Sequence, residues 1–254
     1  MHISYSELKV WAECPFKHKL MYIDKIKGFI GNEYTAFGGA IHNLCENAIV
    51  DKIEPEDFEQ YFQMAFREEL KKIEVTKPAL VMQMLEQANK ITPEIIPSVD
   101  EYFGDYEVFS VEERLFEDIQ DFEDEKYNFK GFIDLVVKTS DGKYHIIDWK
   151  TCSWGWDMER KSDRLTTYQL TLYKKFFCQK HNIDPQLVET HFALLKRTAK
   201  KKNVEIFRVT SGPRKTKNAS DLLLKALSNI NRQIKFKNRM SCDRCEFRKT
   251  EHCK

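Results

Sequence analysis

The sequence has little of what marks fibrous, membrane-spanning or purely electrostatic proteins. Its 254 residues include only 9 glycines and 7 prolines, too few for a collagen-like or low-complexity chain. No apolar run approaches the roughly 20 residues needed to cross a bilayer, and the N-terminus lacks the charged-then-apolar pattern of a secretory signal. The formal net charge is only +1, which excludes a uniformly basic nucleic-acid coat and an acidic disordered tail. We therefore expect a protein of the cytoplasm or nucleoid that does not contact membranes.

Hydrophobic residues make up 42% of the chain and aromatic residues 13%, enough to bury a sizeable core. We predict a single domain of mixed α/β (α+β) class, in which a mixed central sheet is flanked by helices. Residues 1–104 are predicted to be mainly helical, residues 105–210 to form the core sheet and its helix, and residues 211–254 to form a C-terminal helix and a cysteine-rich tail.

The hydrophobic periodicity gives the order of elements in more detail. A helical first part is followed by three strands, a helix and two further strands, and then by a last helix. Pro93 and Pro97 are expected to interrupt the helical pattern between the first part and the sheet. The strands are predicted at 108–116, 127–137, 143–149, 188–196 and 204–209, and the two later helices at 165–180 and 219–237.

The seven cysteines do not suggest a disulfide framework, because the number is odd and we expect no secretory leader. Three of them, Cys242, Cys245 and Cys253, lie close together at the end of the chain. Thiolates in such a group select zinc or an iron–sulfur cluster. A fourth ligand is needed, and the candidates are the neighbouring His252 and the distant Cys14.

Charge is unevenly distributed along the chain. Acidic residues dominate the segment 99–126, whereas basic residues dominate 191–254. Phosphate neutralisation is one use for such a basic segment, and an ordinary solvated helix surface is the alternative. The candidate nucleic-acid-binding residues are Lys200, Lys201, Lys202, Arg214 and Lys215.

Two predicted strands each carry one aspartate inside an apolar run. Asp134 lies in the strand GFIDLVV, and Asp148 ends the apolar part of YHIIDWK, two residues before Lys150. Residues i and i+2 share one face of a strand, so Asp148 and Lys150 point the same way. Asp134 and Asp148 are on strands joined by a short turn, which can bring their carboxylates together. Two neighbouring carboxylates repel each other unless a cation lies between them. The pattern therefore predicts a Mg²⁺ or Mn²⁺ site beside an amine.

These motifs resemble those of a known enzyme family. The Gly-x-x-Asp ending at Asp134 and the Asp148-x-Lys150 that follows resemble the core of the PD-(D/E)XK nucleases. On the next predicted helix, Gln169 and Tyr173 resemble the Gln-x-x-x-Tyr motif of the RecB-like branch of that superfamily.

Two further motifs resemble features of the same branch. The sequence Gly-Gly-Ala-Ile-His ending at His42 resembles an upstream element whose histidine is a metal ligand. Cys14 with Cys242, Cys245 and Cys253 resembles the split cysteine set that holds a 4Fe–4S cluster in AddB-type and CRISPR-associated nucleases. The last gap, residues 246–252, is longer than in that set, and zinc is the alternative occupant.

The resemblance implies a role for each matching residue. His42, Asp134 and Asp148 would bind Mg²⁺ or Mn²⁺, Lys150 would position the attacking water, and Gln169 and Tyr173 would orient Lys150 or the substrate strand. Two acids are additional candidates: Glu113 as a further metal ligand and Glu46 as a partner of His42.

The function implied is metal-dependent hydrolysis of DNA by an exonuclease that acts on single strands or free ends, in recombination, repair or replication. A helicase or recombination partner would act in trans. Two alternatives remain open: an inactive nucleic-acid-binding accessory module of recombination, and a structure-specific or restriction-type endonuclease.

Overall fold

The computed structural model describes residues 1–122, 126–243 and 245–253. The chain forms two compact units. The terminal unit combines residues 1–30, 114–131 and 212–254, and the central unit combines residues 31–113 and 132–211. In the part of the chain described, no helix is both long and apolar enough to span a membrane.

The described secondary structure contains six strands and nine α-helices, besides a π-helix and short 3₁₀ helices. The strands are β1 (His2–Ser4), β2 (Tyr106–Asp118), β3 (Asn128–Thr139), β4 (Tyr144–Cys152), β5 (Val188–Lys196) and β6 (Val204–Val209). The helices are α1 (Tyr5–Glu13), α2 (Pro15–His18), α3 (Glu33–Ala48), α4 (Phe58–Leu70), α5 (Pro78–Ile91), α6 (Ile95–Phe103), α7 (Met158–Ser162), α8 (Arg164–His181) and α9 (Pro213–Asn231).

The central unit contains a mixed sheet. Strand β3 runs antiparallel to β4, with Leu135 opposite Ile147. Strand β4 runs parallel to β5, with Ile147 opposite His191, and β5 is antiparallel to β6. The predicted fold class, a mixed central sheet flanked by helices, is therefore confirmed.

Helices cover both faces of this sheet. On one face, Ile147 and Trp149 of β4 join a buried cluster with Phe37 of α3 and Phe62 of α4. The rings of Phe37 and Phe62 meet edge to face, with centroids 5.3 Å apart. Strand residues alternate between faces, so the intervening residue Asp148 faces the opposite side, where α8 packs against β4 and β5.

The terminal unit brings the two ends of the chain together. Strand β1 pairs in parallel with the start of β3, placing Ile3 opposite Phe129. Helix α1 packs against α9, and the Tyr127 hydroxyl donates a hydrogen bond to Asn231 Oδ1 at 3.0 Å.

Two sequence-based predictions of helices were wrong in detail. The last helix was predicted at 219–237, but α9 begins at Pro213 and ends at Asn231. A proline at the first helical position costs no hydrogen bond, because that N–H has no partner within the helix. The same reasoning explains α6, which forms despite Pro97, because Pro97 lies in its first turn.

Candidate active site

The two predicted aspartates come together where β3 and β4 pair. Asp134 Oδ2 accepts a hydrogen bond from the backbone N–H of Trp149 at 2.7 Å. This contact holds the Asp134 carboxylate beside the end of β4, next to Asp148 and Lys150. Asp148 is only 2% exposed, and the Lys150 ammonium lies against its Oδ2 atom. The structure thus brings together two carboxylates and the amine that the sequence pattern predicted.

Helix α8 supplies the next group. Its N-terminus is capped by Asp163, whose side chain accepts from the N–H of Thr166 at 2.6 Å. Gln169, six residues after Asp163, donates from Nε2 to Asp148 Oδ1 at 2.8 Å and to the Tyr173 hydroxyl at 3.2 Å. Of the predicted Gln-x-x-x-Tyr pair, Gln169 therefore contacts Asp148 and orients its carboxylate, and Tyr173 contacts Gln169.

His42 reaches the site from α3. Gly39 lets this helix pack closely, because an added Cβ would lie 3.1 Å from Glu69 Cδ, whereas at Gly38 it would make an ordinary contact 3.6 Å from Thr151 Oγ1. His42 Nδ1 lies 3.7 Å from Asp134 Oδ2. Burial lowers the pKa of His42, which favours the neutral imidazole, the form that can bind a metal.

The site concentrates negative charge in a buried place. Burial raises the pKa of Asp148 to about 6; Lys150 partly offsets this effect, and the nearby Asp134 adds to it. Burial likewise raises the pKa of Asp134 to about 6, again opposed by Lys150. Burying charge is costly unless it is compensated, so both carboxylates are held in an environment that favours a bound cation.

A second pair of acids adjoins the first. Glu46 of α3 and Glu112 of β2 share a hydrogen bond, and burial together with the charge of Glu112 raises the pKa of Glu46 to about 8. The charge of Glu112 also raises the pKa of Asp134. Sequence reasoning had suggested Glu46 as a neighbour of His42 but had missed Glu112.

Glu113, the predicted extra metal ligand, lies elsewhere. Its Oε1 accepts from Lys180 and from His181 Nε2, the latter at 3.0 Å. Burial raises the pKa of Glu113, but these hydrogen bonds outweigh that effect and lower it overall. Glu112 is near the site in place of Glu113 for a local reason. Glu112 has a positive φ of 50°, and the alternation of exposed and less exposed residues along β2 changes phase close to this residue. Such an irregularity re-aims the side chains that follow.

The residues present fit a divalent cation. Asp148 Oδ2 is buried and forms an ion pair with the Lys150 ammonium, with no further donor to it among the described residues. A carboxylate oxygen is a hard ligand suited to Mg²⁺ or Mn²⁺. The ligand atoms of His42, Asp134 and Asp148 do not all come within 4.8 Å of one another among the described residues, so a cation would draw them inward.

The four predicted cysteine ligands lie around one cavity of the terminal unit. A cavity of about 650 Å³ is lined by all four, Cys14, Cys242, Cys245 and Cys253. Cys14 lies between α1 and α2, and its sulfur accepts a hydrogen bond from the backbone N–H of Asn238 at 3.4 Å. The chain therefore places the N-terminal cysteine and the three C-terminal ones around one cavity, and their role as cluster ligands stays a prediction.

The predicted basic residues do not all fall in one unit. Lys200, Lys201 and Lys202 are exposed in the loop between β5 and β6 of the central unit. Arg214 is exposed at the start of α9 in the terminal unit, and the adjacent Lys215 is half-buried, which lowers its pKa.

Comparison with known proteins agrees with this geometry. The model of the PD-(D/E)XK nuclease superfamily matches residues 2–250. The chain belongs to the PD-(D/E)XK nuclease superfamily. Membership implies a phosphodiester hydrolase with a nucleic-acid substrate. No curated protein matches the sequence significantly.

Solved structures also resemble the chain. A protein from Eubacterium rectale described as "Putative exonuclease" has a TM-score of 0.63 and 14% sequence identity, over 98% of this chain and 88% of that one. The structure of SSO0001 has a TM-score of 0.40 and 11% identity, over 95% of this chain and 93% of that one. At this identity, the first likeness supports the fold alone.

Proposed function

We propose that the protein is a metal-dependent DNA exonuclease of the RecB-like branch, acting on single strands or free ends. The observation that carries the proposal is the environment of Asp148. Its Oδ1 atom accepts from Gln169, while its buried Oδ2 atom is paired with the Lys150 ammonium and has no further donor among the described residues. This arrangement leaves one carboxylate oxygen for a cation next to an amine that can act on a water.

Each residue then has a physical role. His42, Asp134 and Asp148 would hold Mg²⁺ or Mn²⁺, which when bound lowers the pKa of a water and offsets charge developing on the phosphate. Lys150 would orient the attacking water and stabilise negative charge at the phosphate. Gln169 would keep Asp148 in the orientation that presents Oδ2, and Tyr173 would in turn hold the Gln169 amide.

The preference for single strands is supported by Trp154. This residue follows Lys150 by four positions, just beyond the end of β4, and is 78% exposed, whereas Trp11, Trp149 and Trp156 are buried. The carbonyl of Ser153 accepts from the N–H of Thr198, so this segment adjoins the start of the lysine-rich loop 197–203. An exposed aromatic ring beside lysines is suited to single-stranded DNA, because an unpaired base can stack on the ring while the lysines contact the phosphates.

The decisive experiment compares three DNA substrates in the presence of Mg²⁺: an end-labelled single strand, an end-labelled duplex and a covalently closed circle. The wild-type protein is compared with Asp148→Asn and with the matched control Asp221→Asn, which alters an exposed ion pair to Lys217. We expect digestion of the linear substrates and none of the circle. Asp148→Asn should lose cleavage, and Asp221→Asn should keep it.

Other outcomes would point to the alternatives. Cleavage of the circle would establish an endonuclease. No cleavage by the wild-type protein with Mg²⁺ or Mn²⁺, together with DNA binding, would establish an accessory module. Full cleavage by Asp148→Asn would remove the proposed site.

For the cysteines, we infer a structural 4Fe–4S cluster that fastens the N-terminal helices to the tail. The support is the single cavity that all four cysteines line, with a backbone N–H directed at Cys14. Hydrogen bonds to the sulfurs are a usual feature of iron–sulfur sites. Protein purified without oxygen should contain four iron atoms and four sulfides per chain, and Cys242→Ser should contain fewer. A colourless protein with stoichiometric zinc would establish the alternative occupant.

A further inference from the structure

A second group of possible metal ligands lies in the central unit. His145 of β4 stands opposite Glu189 of β5 in the parallel register, and His191 follows two residues later. All three side chains are therefore on one face of the sheet, whereas Asp148 is on the other. This group is thus separate from the candidate active site, and none of its members belongs to the motifs described above.

The ligand atoms of these three residues are already close. His145 Nδ1 and His191 Nε2 are 3.1 Å apart, and His145 Nδ1 is 4.0 Å from Glu189 Oε2. One ligand atom from each residue can be chosen so that all lie within 4.8 Å of one another. Two nitrogens that bind one tetrahedral Zn²⁺ at 2.0–2.1 Å are about 3.3 Å apart. A small separation of the two rings would therefore admit the ion.

The outer contacts of His145 orient it as a metal ligand. The Thr139 hydroxyl donates to Asp141 Oδ1 at 2.5 Å, so its oxygen is available as an acceptor for His145 Nε2 at 3.0 Å. The ring proton of His145 is then on Nε2, and Nδ1 carries the lone pair that faces His191. A ligating histidine usually donates its other ring N–H to such a group.

Glu189 is oriented in a similar way. Its Oε1 atom lies 3.2 Å from Arg208 NH2 and 3.9 Å from Lys143 Nζ. Its other oxygen, Oε2, is the one that faces His145. Both cations are well exposed, so solvent screens their repulsion of a bound ion.

His191 gives the second, independent observation. It is 2% exposed, and its Nδ1 atom has no hydrogen-bond partner among the described residues. If His191 Nε2 carries the proton and donates to His145, then Nδ1 is a buried lone pair with no donor, which is rare in proteins. If Nε2 binds an ion instead, Nδ1 carries the proton, and the rings of Tyr102 and Phe103, packed edge to face at 5.5 and 5.2 Å, are weak acceptors near it.

We propose that His145, Glu189 and His191 bind one zinc ion, at a site distinct from both the catalytic cation and the cysteines. Two imidazoles and one carboxylate are a ligand set that suits zinc, with water in the fourth position. The ion would tie β4 to β5 near the start of both strands, under α6.

The test measures zinc content in the full-length protein. Wild-type protein with its cysteine-bound metal retained, His191→Gln, Glu189→Gln and a control, His181→Gln, are dialysed against the same free Zn²⁺ concentration and analysed for bound zinc. His181 is a suitable control because it pairs with Glu113 outside the group. We expect one zinc fewer per chain in His191→Gln, a zinc affinity reduced by about 10- to 100-fold in Glu189→Gln, and no change in the control. Equal zinc binding by all four proteins would overturn the proposal.

A second measurement needs no substitution and so remains decisive if His191→Gln does not fold. The ring-nitrogen ¹⁵N resonances of His145 and His191 are recorded in the wild-type protein during zinc titration. We expect His145 Nδ1 and His191 Nε2 to shift together to the metal-bound range. Unchanged resonances at saturating zinc would refute the site, whatever the outcome for nuclease activity.

Discussion

The substitution Asp148→Asn should abolish activity and yet stabilise the metal-free protein. Asparagine stands for the neutral form of the carboxyl and keeps an oxygen for the Gln169 amide. In the wild-type protein at high pH, the buried Asp148 carboxylate is charged, and burial, together with the neighbouring Asp134, makes that charge unfavourable despite Lys150. Removing the charge removes this cost.

The size of the effect follows from the pKa of Asp148, which is raised from 3.8 to about 6 in the folded protein. Above pH 6 the carboxyl is ionised in both the folded and the unfolded state, and the shift costs the folded state about 3 kcal/mol. Below pH 3.8 it is protonated in both states and costs nothing. The stabilisation by Asp148→Asn should therefore reach about 3 kcal/mol at pH 8 and fall to about half of that at pH 5.

The assay is urea denaturation followed by circular dichroism, with a chelator present, at pH 8 and pH 5. Asp221→Asn serves as the matched control and should match the wild-type protein at both values. Adding Mn²⁺ should stabilise the wild-type protein by linkage and should stabilise Asp148→Asn much less, because a ligand is lost.

Either of two results would contradict the electrostatic strain at Asp148. If Asp148→Asn is less stable than the wild-type protein at pH 8 without metal, the buried carboxylate is not under electrostatic strain, and its environment has been misinterpreted. The same conclusion follows if the gain is larger at pH 5 than at pH 8.

Three further predictions concern other parts of the protein. Lys150→Ala should lose cleavage while keeping DNA binding, because the amine acts on the water; gel-shift and digestion assays with one substrate check this, and substantial cleavage would contradict it. Trp154→Ala should weaken single-strand binding by roughly tenfold or more through lost base stacking, whereas Trp154→Phe should bind nearly as well as the wild-type protein. The affinities are measured by fluorescence anisotropy of a labelled oligonucleotide. Equal affinity of Trp154→Ala and wild type would exclude this contact. Phe62→Ala should lower the free energy of unfolding by about 3–5 kcal/mol, because the ring is fully buried against Phe37; a loss below about 1 kcal/mol in urea denaturation would contradict that packing.

Much of the fold and of the candidate site could be predicted from local sequence. The strands around Asp134 and Asp148 show their apolar runs directly, and the turn between them forces the two strands to pair. Because Lys150 is two residues from Asp148, they share a face whatever the rest of the chain does. Gln169 and Tyr173, four apart on a helix, are likewise on one side by geometry alone.

The choice between Glu112 and Glu113 could not be made in this way. The sheet face of each side chain in β2 can be assigned from sequence only if successive side chains alternate regularly, and the positive φ at Glu112 breaks that alternation. Nothing in the residue types around Glu112 signals that irregularity, since glycine or asparagine would have been expected there. Gln169 shows a related limit: its helix face was predictable, but its partner, Asp148 in place of Lys150, depends on how α8 packs against β4.

The sequence by itself determined the elements, the single acids within apolar strands, and the motifs that mark the superfamily, because these are properties of short stretches with a fixed repeat. Only the tertiary structure decided which distant groups meet. Cys14 joins the C-terminal cysteines because the two ends of the chain pack together in one unit, and His145 meets His191 because β4 and β5 pair in one register out of several. Which strands pair and where the chain ends pack depends on the free energy of the whole unit, so neither can be predicted from a local sequence pattern.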